Sequence, residues 1–400
     1  MHEKSRKSMN SQNTPIHVRL WHRDFWLLSF ANLLLTMSVY ILIPTFPVWM
    51  LETEAFTAPE VGLSLLVFAA GLYALGPFCS WLVQRFRRNR VYLLSVAAML
   101  GSISMLYYLH GVRHEEVELW VILAQRFLMG ATFGLAEMVL ISTLIIESSE
   151  AYYRTEANHS TGWFSRFAVA LGPIVGLTLF NYQNFDTVLL AAGFCAACAI
   201  VLVMIIRIPF RTPTDAPELV SFDRFLLKDS TPLFLNLTLF AAIVGMLMSL
   251  GLSDRFYACI MCGFLAALIA QRVVFRDAEL KSEIVTGLIL LIGSLLLVYT
   301  RPLPIVWYLA PLMLGLSIGI VCARFLLFFI KLSRHCQRGT SQSTYMLSWE
   351  TGVSLGLGVG YAFFLNEADT LLLVCLVLAA VALAAYNYYT HNWFLGHKNR

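Results

Sequence analysis

The sequence predicts an all-α integral membrane protein, with twelve transmembrane helices arranged as two pseudo-symmetric six-helix bundles. Three observations carry the prediction. Hydrophobic residues make up 58% of the chain and charged residues only 13%, with a mean hydropathy of +0.71, whereas a soluble domain carries about 25% charged residues. Apolar runs near twenty residues recur along all 400 positions, each long enough to cross a bilayer core of about 30 Å. Small and polar residues recur at an offset of about 185 positions, the mark of an internal repeat.

The runs lie near 25–49, 61–83, 91–110, 119–146, 157–180, 186–206, 232–252, 256–275, 284–300, 304–331, 341–364 and 370–390. A transmembrane β-barrel is excluded, because its strands show short alternating segments rather than long continuous runs. The expected division is a cytoplasmic tail at 1–24, a bundle at 25–206, a cytoplasmic linker at 207–230, a second bundle at 231–390 and a tail at 391–400.

Orientation follows from the basic residues. Of the 28 lysines and arginines, 22 fall in segments on one face. The opposite face holds only Arg113, Arg255 and Arg301, and the runs themselves hold Arg126, Arg166 and Arg324. Both termini are therefore expected in the cytoplasm, and the net charge of +4 reflects this sorting, not nucleic-acid binding. The first 22 residues are polar and basic and the first run is long enough to span, so no cleavable signal peptide is expected.

In chain order, the first run carries Asn32, Thr36 and Tyr40, polar candidates for a central cavity, and closes with Pro44 and Pro47. The second ends in a basic hairpin, Gly76 to Arg90, that includes Gln84, Arg85 and Arg90. Gln84-Arg85 reappears in the second half as Gln271-Arg272. Gly130 and Gly134 match Gly315 and Gly319, and Gly172 and Gly176 match Gly356 and Gly360. Such glycines let helices approach closely. Pro173 is expected to loosen the fifth helix for gating. The linker has prolines at 209, 213 and 217 and a possible interfacial turn at Phe222, Phe225 and Leu226. Asn236 in the seventh run parallels Asn32. His110 and His114 are expected on the external surface. Cys195/Cys198 and Cys259/Cys262 have CxxC spacing but lie in apolar helices, so inert thiols are expected and no metal site or cofactor.

Charges inside the runs carry the functional reading, since a charge at membrane depth costs from about 2.5 to over 10 kcal/mol and is kept for use. Arg126 and Glu137 are eleven residues apart, on one helix face and roughly 16 Å apart along the axis. Glu137 lies about ten residues before the end of its helix, and Arg166 about ten into the next, so the two should meet as an ion pair. Arg324 and Glu350 repeat the arrangement with signs exchanged, and all four charges are expected at similar depth. Either each pair is a structural clamp, or one carboxylate gains and loses a proton as the cavity alternates, Glu137 being the first candidate and Glu350 the second. Desolvation and a movable arginine would set its proton affinity.

These motifs resemble those of the major facilitator superfamily over essentially the whole chain. The Gly76–Arg90 hairpin is similar to that family's signature between helices 2 and 3, with Gln84 at its usual acidic position and Arg87 at its usual glycine. Those departures put the hairpin's charge relay in doubt. Arg126-x3-Gly130-x3-Gly134 is similar to the second signature, and the resemblance implies proton coupling for Arg126. Gly172-Pro173-x2-Gly176 is similar to a signature enriched among proton-driven antiporters. Glu137/Arg166 resembles the carboxylate–guanidinium pair that holds sugar in lactose/proton symporters. The resemblance implies a secondary transporter, not an enzyme: a monomer in the inner membrane that moves a small molecule, with protons, by alternating access. Export by antiport is the first expectation. The alternatives are proton symport of a polar nutrient such as a sugar, and a transport-inactive sensor of the same fold. Walker A and HEXXH patterns do not occur, which disfavours an ATPase or a zinc-dependent membrane enzyme.

Overall fold

The structure is a computed structural model that describes residues 20–113, 117–150, 152–206, 218–275, 279–301 and 303–398. His114 and the three linker prolines lie outside the described residues. Among these residues, helices of 17 residues or more are labelled in order: α1 Arg23–Tyr40, α2 Ala58–Ala74, α3 Arg88–Tyr107, α4 Leu119–Val139, α5 Arg154–Tyr182, α6 Phe185–Met204, α7 Thr231–Met248, α8 Asp254–Val273, α9 Leu280–Thr300, α10 Val306–Leu332, α11 Arg338–Phe364 and α12 Ala368–Ala385. Short helices flank them at Phe46–Glu52, Cys79–Arg85, Ile145–Ser148 and His391–His397.

Ten of the long helices, some with their short continuations, are long and apolar enough to cross a membrane. The two that fall outside that group are α1 and α11. Both are diluted by polar residues that turn inward: Asn32, Thr36 and Ser38 on α1, and Thr340, Ser341, Thr344 and Glu350 on α11 are all buried. A helix that lines a polar interior need not be apolar on every face.

Several expected continuous runs are interrupted, and two of the breaks lie near the buried charges. The first stops at Tyr40, passes through a turn and resumes at Phe46. Pro44 sits in that turn and Pro47 in the first turn of the new helix, and proline cannot supply the amide that a helix interior needs. The fourth run passes through a π-helical turn, Leu140–Leu144, one residue after the end of α4. Such turns often mark functional sites, and this one begins three residues beyond Glu137.

The matched glycines sit where helices touch. A Cβ on Gly130 would lie 2.2 Å from the Phe68 carbonyl on α2, and one on Gly315 would lie 2.2 Å from the Ile260 carbonyl on α8. Gly172 meets Tyr40 at the end of α1, and Gly356 meets Ala242 on α7. Thus α4 lies on α2 as α10 lies on α8, and α5 on α1 as α11 on α7. Across the middle, Gly62 on α2 packs against Gly358 on α11. Gly319 on α10 and Gly162 on α5 face Trp163 and Leu326 respectively. Pro173 is carried inside a continuous α5.

The described part of the linker is not an amphipathic turn at a membrane surface. Phe225 and Leu227 are buried, and the Phe225 ring fills the space over Gly76. The Ser221 amide donates to the Pro77 carbonyl at 2.9 Å, while the Arg224 and Leu227 amides donate to the Thr340 and Thr344 hydroxyls of α11, both at 2.8 Å. The segment ties the end of α2 to the start of α11 because its backbone donors find acceptors on both.

Candidate functional site

Four charged residues singled out above are deeply buried: Arg126 is 4% exposed, Glu137 3%, Arg166 3% and Glu350 4%. Three of them, Glu137 from α4, Arg166 from α5 and Glu350 from α11, line one central cavity together with Asn32 from α1. Its volume is about 40 Å³, room for about two or three waters and too small for a metabolite. The cavity is therefore closed around its polar lining.

The expected ion pairs are not the ones formed. Among the described residues Glu137 has no ion pair, and its Oε2 has no hydrogen-bond partner. It faces the Glu350 carboxylate closely enough for the two to interact. Arg166 lays its guanidinium over the Trp163 ring, 4.7 Å from the centroid, beside the Tyr345 phenol. Its three nitrogens have no hydrogen bond of good geometry among the described residues.

Arg324 belongs elsewhere. It pairs with Glu283 on α9, so it does not line the cavity and does not meet Glu350. Glu283 is almost wholly buried and sits in the first turn of α9, just outside the apolar run. That position hid it from the sequence reading.

Glu350 is held by an aromatic chain. The Tyr40 hydroxyl donates to Glu350 Oε1 at 3.1 Å, and the Trp349 indole donates to the Tyr40 oxygen at 2.9 Å. An indole N–H only donates, so the tyrosine proton is left for the carboxylate. Glu350 also borders a second cavity of about 20 Å³ lined by Arg126. Arg126 sits over the Phe46 ring, 3.2 Å from the centroid.

Asn32 donates to the Ser165 hydroxyl at 2.6 Å, joining α1 to α5 at the cavity wall. Thr36 bonds back to the Asn32 carbonyl, and Asn236 donates to the Ala382 carbonyl of α12; neither lines the cavity. Gln84 donates to the Ser80 hydroxyl at 2.9 Å, and Ser80 in turn donates to Asp223 of the linker at 3.3 Å. Asp223 also accepts from Thr340 in the first turn of α11. An acid thus stands at the hairpin although Gln84 does not supply it. Arg85, Arg90 and Arg272 are exposed, and Gln271 donates to the Gly319 carbonyl. His110 is half-buried rather than on the surface: its ring accepts from the Trp49 indole and bonds Asp186 at 2.8 Å.

Comparison with known proteins agrees with this architecture. The family model described as Major Facilitator Superfamily matches residues 28–357. No curated sequence gives a significant match. An auto-inhibited POT family peptide transporter has a TM-score of 0.68 and 11% identity, covering 95% of this chain and 98% of its own. A mutant of the nucleoside transporter NupG has 0.64 and 12%, covering 91% and 99%. The human organic anion transporter MFSD10 (TETRAN) has 0.62 and 14%, covering 90% and 98%. At such identities the likeness is one of fold. With the family model spanning most of its length, the chain belongs to the Major Facilitator Superfamily and is a multi-pass membrane transporter of small molecules, not an enzyme.

Proposed function

We propose that the chain is a proton-coupled antiporter of the inner membrane, with twelve spans in two pseudo-symmetric bundles, both termini cytoplasmic, exporting a small molecule by alternating access. The single observation that carries this reading is the meeting of Glu137 and Glu350, one from each half, in one small buried cavity where neither forms a salt bridge with Arg166 among the described residues. Two like charges in a low-dielectric space repel strongly, so a proton shared between them suits the closed cavity and is released when the halves part and water enters. Glu350 borders both cavities, which supports its carrying the proton from one to the other. Arg166 lines the same cavity without a salt bridge to either carboxylate among the described residues, which leaves its guanidinium available to a substrate. The repeated helix pairings and the Gly172-Pro173-x2-Gly176 pattern support alternating access and export.

Symport of a polar nutrient is the second reading, favoured by Arg166 and Asn32 sharing the cavity wall. The sign of proton movement separates the two. When nucleosides, short peptides and organic anions are added to proteoliposomes holding a pH-sensitive dye, antiport moves protons opposite to the substrate. Co-directional movement would replace antiport by symport. No proton movement with a substrate that is nonetheless transported would end the coupling proposal.

A further inference from the structure

At the end of the bundle where residues 218–230 lie, a void of about 590 Å³ opens, separate from the central cavity. Three parts of the chain wall it. Ser142, Glu147 and Arg154 come from the α4–α5 connection, Asp223 and Arg224 from the linker, and Arg334 and Arg338 from the approach to α11. Four arginines thus face two carboxylates, and both carboxylates are engaged. Glu147 pairs with Arg88, and Asp223 accepts from Ser80 and Thr340 and lies 3.6 Å from Arg224 Nε. Among the described residues no carboxylate pairs with Arg154, Arg334 or Arg338, and the buried Nε of Arg154 has no hydrogen-bond partner.

Two further features point the same way. The 27-residue α11 starts at Arg338, so the positive end of its dipole lies at the void. The Ser142 hydroxyl, on a residue 5% exposed, lines the void and is unpartnered among the described residues.

We propose that this void binds a phosphate-bearing anion, clamped between Arg154 and Ser142 on one side and Arg338, Arg334 and the start of α11 on the other. Guanidinium forks match phosphate oxygens in pairs, and the positive end of a helix dipole favours an anion. The anion is either a free phosphorylated solute or a phosphorylated lipid headgroup. Because its ligands come from both halves, its occupancy holds this end of the transporter closed. The site is independent of proton coupling at the centre.

The void carries its own reporter. Cys336 lines it and is exposed. Purified full-length protein in phosphatidylcholine nanodiscs is treated with a thiol reagent and increasing pyrophosphate at constant ionic strength. Modification of Cys336 slows about tenfold at roughly ten times the dissociation constant, while the reagent's rate with free cysteine in the same buffer is unchanged. Arg154→Gln and Arg338→Gln, one from each wall, each raise the pyrophosphate needed by at least about tenfold, the worth of one charge-assisted contact. If either variant fails to fold, the exposed Arg334→Gln takes its place. In nanodiscs containing phosphatidylinositol phosphates without pyrophosphate, protection of Cys336 that these variants relieve assigns the site to a lipid headgroup; protection by pyrophosphate alone assigns it to a free anion. Cys336 reactivity untouched by both probes, or protection that persists in the variants, overturns the site.

Discussion

Glu137, Arg166 and Glu350 were legible as charges turned into the interior from one physical fact, that charge is costly in hydrocarbon. Their partners were not legible. Counting residues from helix ends places charges by height, but rotation about the helix axis decides which neighbour each meets. Arg324 shows the difference. Height put it with Glu350, yet its guanidinium turns to Glu283 on α9, an acid left in a loop by run boundaries a few residues off. A buried pair broken from one side costs about 3–5 kcal/mol, whereas replacing both members by apolar residues is often neutral or better. Arg324→Met is therefore expected to lower the thermal stability of the detergent-solubilised protein sharply, and Arg324→Met with Glu283→Leu to restore it while transport continues. A double variant that is stable but inactive would return Arg324 to the transport site.

At the scale of elements, the long apolar helices could be read directly, because twenty apolar residues admit few other fates. The breaks could not. The turn before Phe46 and the π-helical turn after α4 depend on how the surroundings satisfy freed backbone groups. The linker was misjudged for a related reason. Phe222, Phe225 and Leu226 read as an amphipathic turn, but the neighbouring amides find hydroxyl acceptors on α11 and Phe225 finds a glycine-floored slot over Gly76. The outcome is a latch in which Asp223 joins Ser80 to Thr340, at the hairpin whose own acid is replaced by Gln84. Hydrogen bonds to a charged group are worth about 1.5–3 kcal/mol, so Asp223→Asn should favour opening at the linker end about ten- to a hundredfold. The check is thiol reactivity of Ile141→Cys, which lines the central cavity, with a reagent applied from the linker side. An unchanged rate would reduce the latch to local packing.

At the scale of the molecule, the repeat was the most legible feature of all. Weak glycine matches at a constant offset prove to be equivalent helix contacts: Gly130 on α2 and Gly315 on α8, Gly172 on α1 and Gly356 on α7. Each half supplies one carboxylate to the centre, and α11 ties them together through Tyr40 and Trp349. What composition and spacing could not reveal is the cargo, because the closed cavity is shaped by side chains whose rotation no periodicity fixes. The account stands on the two central carboxylates acting as one proton carrier shared between the halves. The most direct test is uphill transport of a substrate driven by an imposed proton gradient in proteoliposomes, comparing the native chain with Glu137→Gln and Glu350→Gln. Either variant is predicted to lose accumulation against a gradient while keeping substrate exchange at equal pH. Undiminished uphill transport by both variants would contradict the account.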